Sequence, residues 1–301
     1  MVINYRDMND IEKIIIYTAK KKKDQLQNEK VFFIEPEKEI EAFCEDEEDD
    51  SVIGMNFDLL SSWYFYQYVD QFLTESRLSG ENIKISTMYA LESNNVDFFL
   101  GKEYVSYDEA IPFHKSIKHM AQALLLGWDD LGINYGNLLL RMLYGKQYQG
   151  WHPAYLHPWF MLEIFCKWQK IELDYSQLNY PEEMGIYGSV LKSWDTEDVG
   201  LLSQLVDNLC EYHIAESDED EYEDRTPDFP SSDYFLYAIE ILLWLNIRER
   251  MGLPGYTPGN ELMKLPINNW HTQKTSVPHI ALIEKVKEKL LEDYPGIDFE
   301  L

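Results

Sequence analysis

An all-α fold is predicted by three observations on this chain of 301 residues. From residue 112 onward, apolar residues recur at helical spacing in one segment after another. Each of those segments opens near a proline or a capping side chain and most close on glycine. The β-prone stretches, in contrast, lack a clean two-residue alternation. No fixed period of self-similarity runs through the chain, so the helices are expected to form a globular assembly and not a solenoid.

The first predicted helix covers residues 8–28, with Asp7 or Asn9 as N-cap and Ile11, Ile14, Ile15 and Tyr17 on one face. It carries Lys20 to Lys23, cations that suit the negative end of a helix dipole and that have a counterpart in the acidic run EDEEDD at 45–50. KVFFIEPE follows as a β-prone stretch. Helical spacing returns through Leu59, Trp63, Tyr66, Val69, Phe72 and Leu73, with Gly80 as the expected C-cap. VDFFLGKEYVSY at 96–107 reads as a connection. A boundary is expected near residue 105, dividing a mixed N-terminal region, 1–105, from an all-helical domain, 106–301.

Within that second part, one helix starts near Pro112 and stops at Gly127, and the next is capped by Asp129 or Asp130 and stopped by Gly145. Pro158 and Pro181 each fit a first turn, where a missing N–H costs nothing. Thr196 is the expected cap of the helix that carries Cys210 and His213. The most apolar helix is expected from Asp233 to Met251, with Gly252 ending it. A Pro/Gly-rich crossing from Leu253 to Pro278 leads to a last helix in HIALIEKVKEKLLEDY.

Composition narrows the function. Acidic residues outnumber lysine plus arginine by 54 to 26, and the formal charge of -28 repels phosphates and anionic lipid while attracting cationic surfaces. Direct nucleic-acid binding and membrane binding are therefore not expected. No apolar run approaches the roughly 18 residues that span a bilayer, and the start of the chain has no apolar h-region, which together give a cytoplasmic expectation. Cys44, Cys166 and Cys210 are odd in number and widely spaced, as free thiols in a reducing compartment would be.

Four constellations carry side chains capable of chemistry. Ser189 and Lys192 have the S-x-x-K spacing of serine acylases, but the companion K-T-G motif is missing, and a solvated helix face explains them. His152 and His157 each precede a proline, which keeps them off a common helical face and suits loop anchors, with His157 also placed to cap the helix at Pro158. Cys210 and His213 lie one turn apart without a second ligand pair, so a core thiol beside a surface imidazole is expected. Glu163, Glu240 and Arg141 fall among core-facing residues, and Arg141 or Arg248 is expected to pair with one of the glutamates. No motif for nucleotides, zinc hydrolysis or acyl transfer is present, so no catalytic residue, cofactor or metal is assigned.

The acidic run ESDEDEYED, residues 216–224, lies between two predicted core helices whose ends must come back together. An isolated charge run is ordinarily a solvated, self-repelling loop. Anchoring at both ends and the aromatic Tyr222 give it a second reading, as a contact surface for a Lys/Arg-rich partner formed by Asp218, Glu219, Asp220, Glu221, Tyr222, Glu223 and Asp224.

With the segments HPWFMLEIFCKW and YFLYAIEILLWLNIRERMGLP, an acidic helical chain without a catalytic signature resembles bacterial immunity proteins that neutralise antibacterial effector toxins. The likeness lies mainly in residues 110–255. It implies a cytoplasmic antidote that binds a cognate basic toxin, often a nuclease, and blocks its active site or its approach to substrate. A helical enzyme with a carboxylate-lined pocket and a helical scaffold are the rival readings from the residues themselves.

Overall fold

The computed structural model describes residues 10–75, 78, 80–104, 112–145, 155–219 and 226–301. The expected all-α class is what the chain adopts: among the described residues there are twelve α-helices, and a single parallel bridge between Ser217 and Phe229 in place of any sheet. No described helix is long and apolar enough to cross a membrane.

Helices α1 (Asp10–Gln25) and α2 (Glu35–Cys44) are joined by helical turns at Leu26–Asn28 and Lys30–Ile34, so KVFFIEPE is helical and not extended. The reason is tertiary. Phe32 packs edge-on against Tyr66, and Phe33 against Trp63 and Tyr64, which all belong to one helix, α3 (Ile53–Glu75). Gly80 opens the next helix, α4 (Gly80–Glu103), instead of closing α3, and the stretch read as a connection at 96–107 lies largely within α4.

The α3–α4 hairpin is held by an unusual polar seam. Ser93 donates to the carbonyl of Gly54 at 2.5 Å, and Asn94 donates to Ser116 and Tyr135. A Cβ at Gly54 would lie 1.9 Å from Asp97 Oδ1, so only glycine permits this approach. Asn95 accepts from the backbone N–H groups of Glu300 and Leu301, and Phe299 stacks on Phe99, which fastens the last residues against α4.

Two helices are enclosed. In α7 (His157–Gln169) and α10 (Ile239–Arg250) all but the last two or three residues are buried, and both pack on α5 (Phe113–Leu125). A helix apolar around its whole circumference can only be stable inside others. Here the others are α6 (Asp129–Tyr144), α8 (Gly185–Lys192) and α9 (Val199–Ala215), with the short α11 (Glu261–Lys264) at the edge. The last helix, α12 (Ala281–Asp293), returns to pack on α2. The main hydrophobic cluster includes Phe65, Tyr68 and Leu91 from before residue 105 together with α5, α6, α7 and α10. A second, smaller cluster joins α2, α3 and α4 to α12.

Several boundaries differ from expectation. Helix α6 has Trp128 at its N-cap, with Asp129 and Asp130 already in its first turn, and α7 has Leu156 at its N-cap, with His157 as its first residue. Helix α8 begins at Gly185, four residues beyond Pro181. The cap of α9 is Asp198, whose carboxylate accepts from the N–H groups of Gly200 and Leu201, while Thr196 Oγ1 accepts from Asp198 N. Helix α10 starts at Ile239 and not at Asp233, because the preceding backbone is engaged by side chains. Asn268 accepts from Ala238 N and donates to the carbonyl of Leu236, and the His213 ring faces the carbonyls of Tyr234 and Phe235.

Candidate functional site

The chain leaves α9 at Ala215 and reaches α10 through the acidic run, and the two sides of that excursion are fixed to one another. Asp218 N donates to the carbonyl of Phe229 at 3.2 Å, and Phe229 N donates to the carbonyl of Glu216 at 3.1 Å. Glu216 adds its carboxylate, accepting from Asp228 N at 3.2 Å. Pro227 and Pro230 bracket this stem, and proline biases the residue before it toward extended backbone, which suits Thr226 and Phe229 to a bridge and not to a helix.

The stem is clamped from below by two buried histidines. The ring of Phe229 stacks on His157 with centroids 4.7 Å apart and lies 4.1 Å from the ring of His213. Next to Phe229, Asp228 accepts from the backbone N–H groups of Leu156 and His157 at 2.5 and 3.1 Å, so it serves as an N-terminal cap for α7 supplied by a distant segment. Tyr187 OH donates to the same carboxylate at 3.3 Å. Burial would push the Asp228 carboxyl up, but His157 and the two backbone donors outweigh it and hold its pKa below the usual value. Burial holds the His157 imidazole below its ordinary pKa, so the ring is neutral with its Nδ1 proton directed at Asp228, 3.2 Å away.

His213 is placed differently. Its Nε2 faces the Tyr234 and Phe235 carbonyls, which only accept, while its Nδ1 lies 2.8 Å from Glu240 Oε1. The surface imidazole expected beside Cys210 is thus a core residue, and both side chains are fully buried.

Two lysines of α1 grip the sides of the stem. Lys21 pairs with Glu219 at 2.5 Å, and Tyr17 donates to the same carboxylate at 2.7 Å. Ser232 N supplies a third donor at 3.0 Å. Burial works against ionisation of Glu219, yet the hydrogen bonds from Lys21, Ser232 and Tyr17 prevail and bring its pKa down to about 2. Lys22, wholly buried, pairs with Asp233 and lies 4.7 Å from the Tyr66 ring. The lysine run thus docks on Glu219 and Asp233; the acidic run at 45–50 is used elsewhere, Asp46 meeting Lys289 and Asp50 accepting from Tyr294.

Beside the stem, α1, α9 and α11 enclose an open groove of 530 Å³. Ile11, Ile14 and Ile214 supply its apolar lining, and Asp10, Lys13, Glu211 and Glu261 its charged lining. No family model, curated protein or solved structure matches this chain. The site must therefore be read from its own geometry.

Of the residues singled out in the acidic run, Asp218 lies in the stem and Glu219 is locked to α1, both half-buried. Asp220, Glu221, Tyr222, Glu223 and Asp224 lie outside the described residues, as does His152. Ser189 and Lys192 are exposed on α8. The expected arginine pairs are not formed. Glu163 accepts from Tyr175 at 2.5 Å, Glu240 pairs with His213, Arg141 reaches Glu300 at 2.9 Å, and Arg248 donates to the carbonyls of Trp194, Thr196 and Pro254. Three carbonyls take up the two terminal nitrogens of Arg248, while its Nε is buried without a partner. Among the described residues no cluster of three or more His, Cys, Asp or Glu side chains is arranged to hold a metal.

Proposed function

We propose that the chain is a non-enzymatic protein-binding antidote, an immunity protein that neutralises a cognate basic toxin, such as a bacterial nuclease, by occluding its active or substrate-binding surface. The reading rests on one observation: an acidic excursion is carried on a stem fixed by backbone pairing, a buried aspartate and two lysine contacts, next to an open apolar groove. A charge run kept only for solubility needs no such fixture. A contact surface gains from it, because the two ends of the run are fixed before binding and that part of the ordering is not subtracted from affinity.

The division of labour follows from physics. Carboxylates at the excursion steer a cationic partner and compete for the surface that would hold phosphates, raising the association rate. The isoleucine lining of the groove supplies desolvated contact area, which charge alone lacks and which slows dissociation. In this reading the antidote acts in the cytoplasm and performs no turnover.

Affinity capture from the native organism, with the partner identified by mass spectrometry and its binding followed at rising salt, tests the proposal. A basic toxin whose affinity falls steeply with ionic strength is the expected result. A partner held by a neutral contact zone, or turnover of a small molecule by the isolated chain, would overturn it.

A further inference from the structure

The groove beside the stem leaves apolar surface open to a partner. Ile11 and Ile14 stand one turn apart on α1, and Ile214 lines the same space from α9 with Ala215 next to it. All three isoleucines are only half-buried, although they border an opening of 530 Å³. Since a cavity of about 150 Å³ accepts one benzene ring, this space takes about three side chains of leucine size.

Most polar groups of the lining are already engaged. Asn260 Oδ1 accepts from Leu262 N as the cap of α11, Asp10 holds Lys13 at 2.7 Å, and Glu261 holds Lys264 at 2.7 Å. A small-molecule site needs convergent polar groups to fix its ligand, and this lining has no such set. Glu211 is exposed and has no cation beside it among the described residues. The backbone narrows the occupant further. The end of α9 is closed, with Glu216 N and Ser217 N donating to the carbonyls of Tyr212 and Ile214. An extended peptide would find no sheet edge to join, because the one bridge among the described residues lies in the stem. A helix satisfies its own backbone and presents apolar side chains at i, i+3 or i+4, and i+7.

Charge sets the sign of that helix. Glu211 belongs to the lining, and Ala215 leads directly into the acidic run that begins at Glu216, in a chain of net charge -28. A second copy of the chain would bring the same acids against them. We propose that the groove between α1, α9 and α11 receives one amphipathic helix of the partner, with its apolar stripe on Ile11, Ile14 and Ile214 and its flanking Lys/Arg residues toward Glu211 and the acidic excursion. This inference rests on the antidote reading and names the element of the toxin that the antidote grips. Steering by charge and retention by apolar contact then act on adjoining parts of one surface, and the apolar part persists when salt screens the rest.

The test is fluorescence anisotropy of the intact chain with a labelled peptide of leucine and lysine, about four helical turns long, with its leucines at helical spacing. One control scrambles the same residues so that no face is apolar, and a second carries a central proline, which breaks the helix. In physiological salt the helical peptide is expected to bind at least about tenfold more tightly than either control and to gain helicity by circular dichroism. Glu211→Lys and Ala215→Arg, both at exposed positions of α9, are expected to remove that advantage. Glu292→Lys, the same change of charge at an exposed position of α12, is expected to leave it intact. Equal binding of the scrambled peptide, or an equal loss in Glu292→Lys, would show that overall charge alone acts and would overturn the assignment. So would a chain that sediments as a dimer and is dissociated by Ala215→Arg, because the groove would then belong to a second copy. The probe contains no toxin, so these outcomes are separate from the antidote reading: a captured basic toxin whose affinity is indifferent to Ala215→Arg would sink the helix and spare that reading.

Discussion

Among the described acids of the excursion, Asp228 concentrates the most local order. It caps α7, orients His157 and accepts from Tyr187, and removing one charged partner from such a set leaves several buried donors unmet. Asp228→Asn is therefore expected to lower unfolding stability by about 2–4 kcal/mol in urea titration, and to accelerate exchange at the Leu156 and His157 amides first. Lys118→Met should behave in the opposite sense, since a buried cation that meets the Tyr234 ring at 3.9 Å, and no carboxylate among the described residues, is replaced by an apolar chain of similar length. Stability within about 1 kcal/mol of the parent, or above it, is expected; a larger loss would mean that the Tyr234 contact outweighs the burial of charge. Little of this was legible beforehand. Asp228 stands four residues past a run of carboxylates and looks like part of it, and only the flanking prolines in TPDFP hint that its backbone is set apart. His213 shows no outward sign of burial, because its partner Glu240 lies 27 residues away.

At the level of elements, the helices with a clear apolar face or with proline and glycine punctuation are legible in the sequence, α5 between Pro112 and Gly127 and α6 up to Gly145, though the cap of α6 is Trp128 and not an aspartate. Helix α4 could not. Its buried face carries Glu92, Ser93, Asn94, Asn95 and Asp97, a polar set that has no periodic hydrophobic signature and is stabilised by partners from α3, α5, α6, α12 and the last residues of the chain. The lysines of α1 pose a similar problem, in that their charge is visible while their partners, about two hundred residues on, are not. Their grip on the stem has a pH signature. The Glu219 pKa falls from 4.5 in an unpaired state to about 2 in the fold, so its contribution is complete above pH 4.5 and is lost as pH drops toward 2. Amide protection at Asp218, Phe229 and Ser232 is accordingly expected to hold from neutral pH down to about 4 and to fall below that, whereas Glu219→Gln should lower it already at pH 7.

For the whole molecule, acid stability is governed by histidines that are buried in neutral form. His114, His119 and His157 all have pKa values depressed from 6.5, that of His114 to about 3, and burial is the first cause in each case. Below pH 6.5 the unfolded chain takes up protons at these positions that the folded chain refuses, so stability must fall as pH decreases from there. Thermal melts between pH 8 and pH 5 should show a declining melting temperature in that window, and a flat profile would show that these rings gain protons without unfolding. Added salt should raise the melting temperature at pH 7 by screening a net charge of -28. At this scale the fold class was plain from the sequence, because the helical spacing repeats through most of the chain. The arrangement of cores was less so: α12 packs on α2 across the full length of the chain, a contact that no local pattern announces.

The most direct measurement of the central claim compares partner affinity for the parent chain and for a variant with Asp220, Glu221, Glu223 and Asp224 changed to Asn or Gln. Glu219 and Asp228 stay intact in that variant, because they hold the stem. The affinity should weaken by roughly tenfold or more and the remaining binding should depend less on salt, with the melting temperature unchanged or higher. Equal affinity and an equal salt slope in the two proteins would contradict the account and leave the excursion a solubility loop.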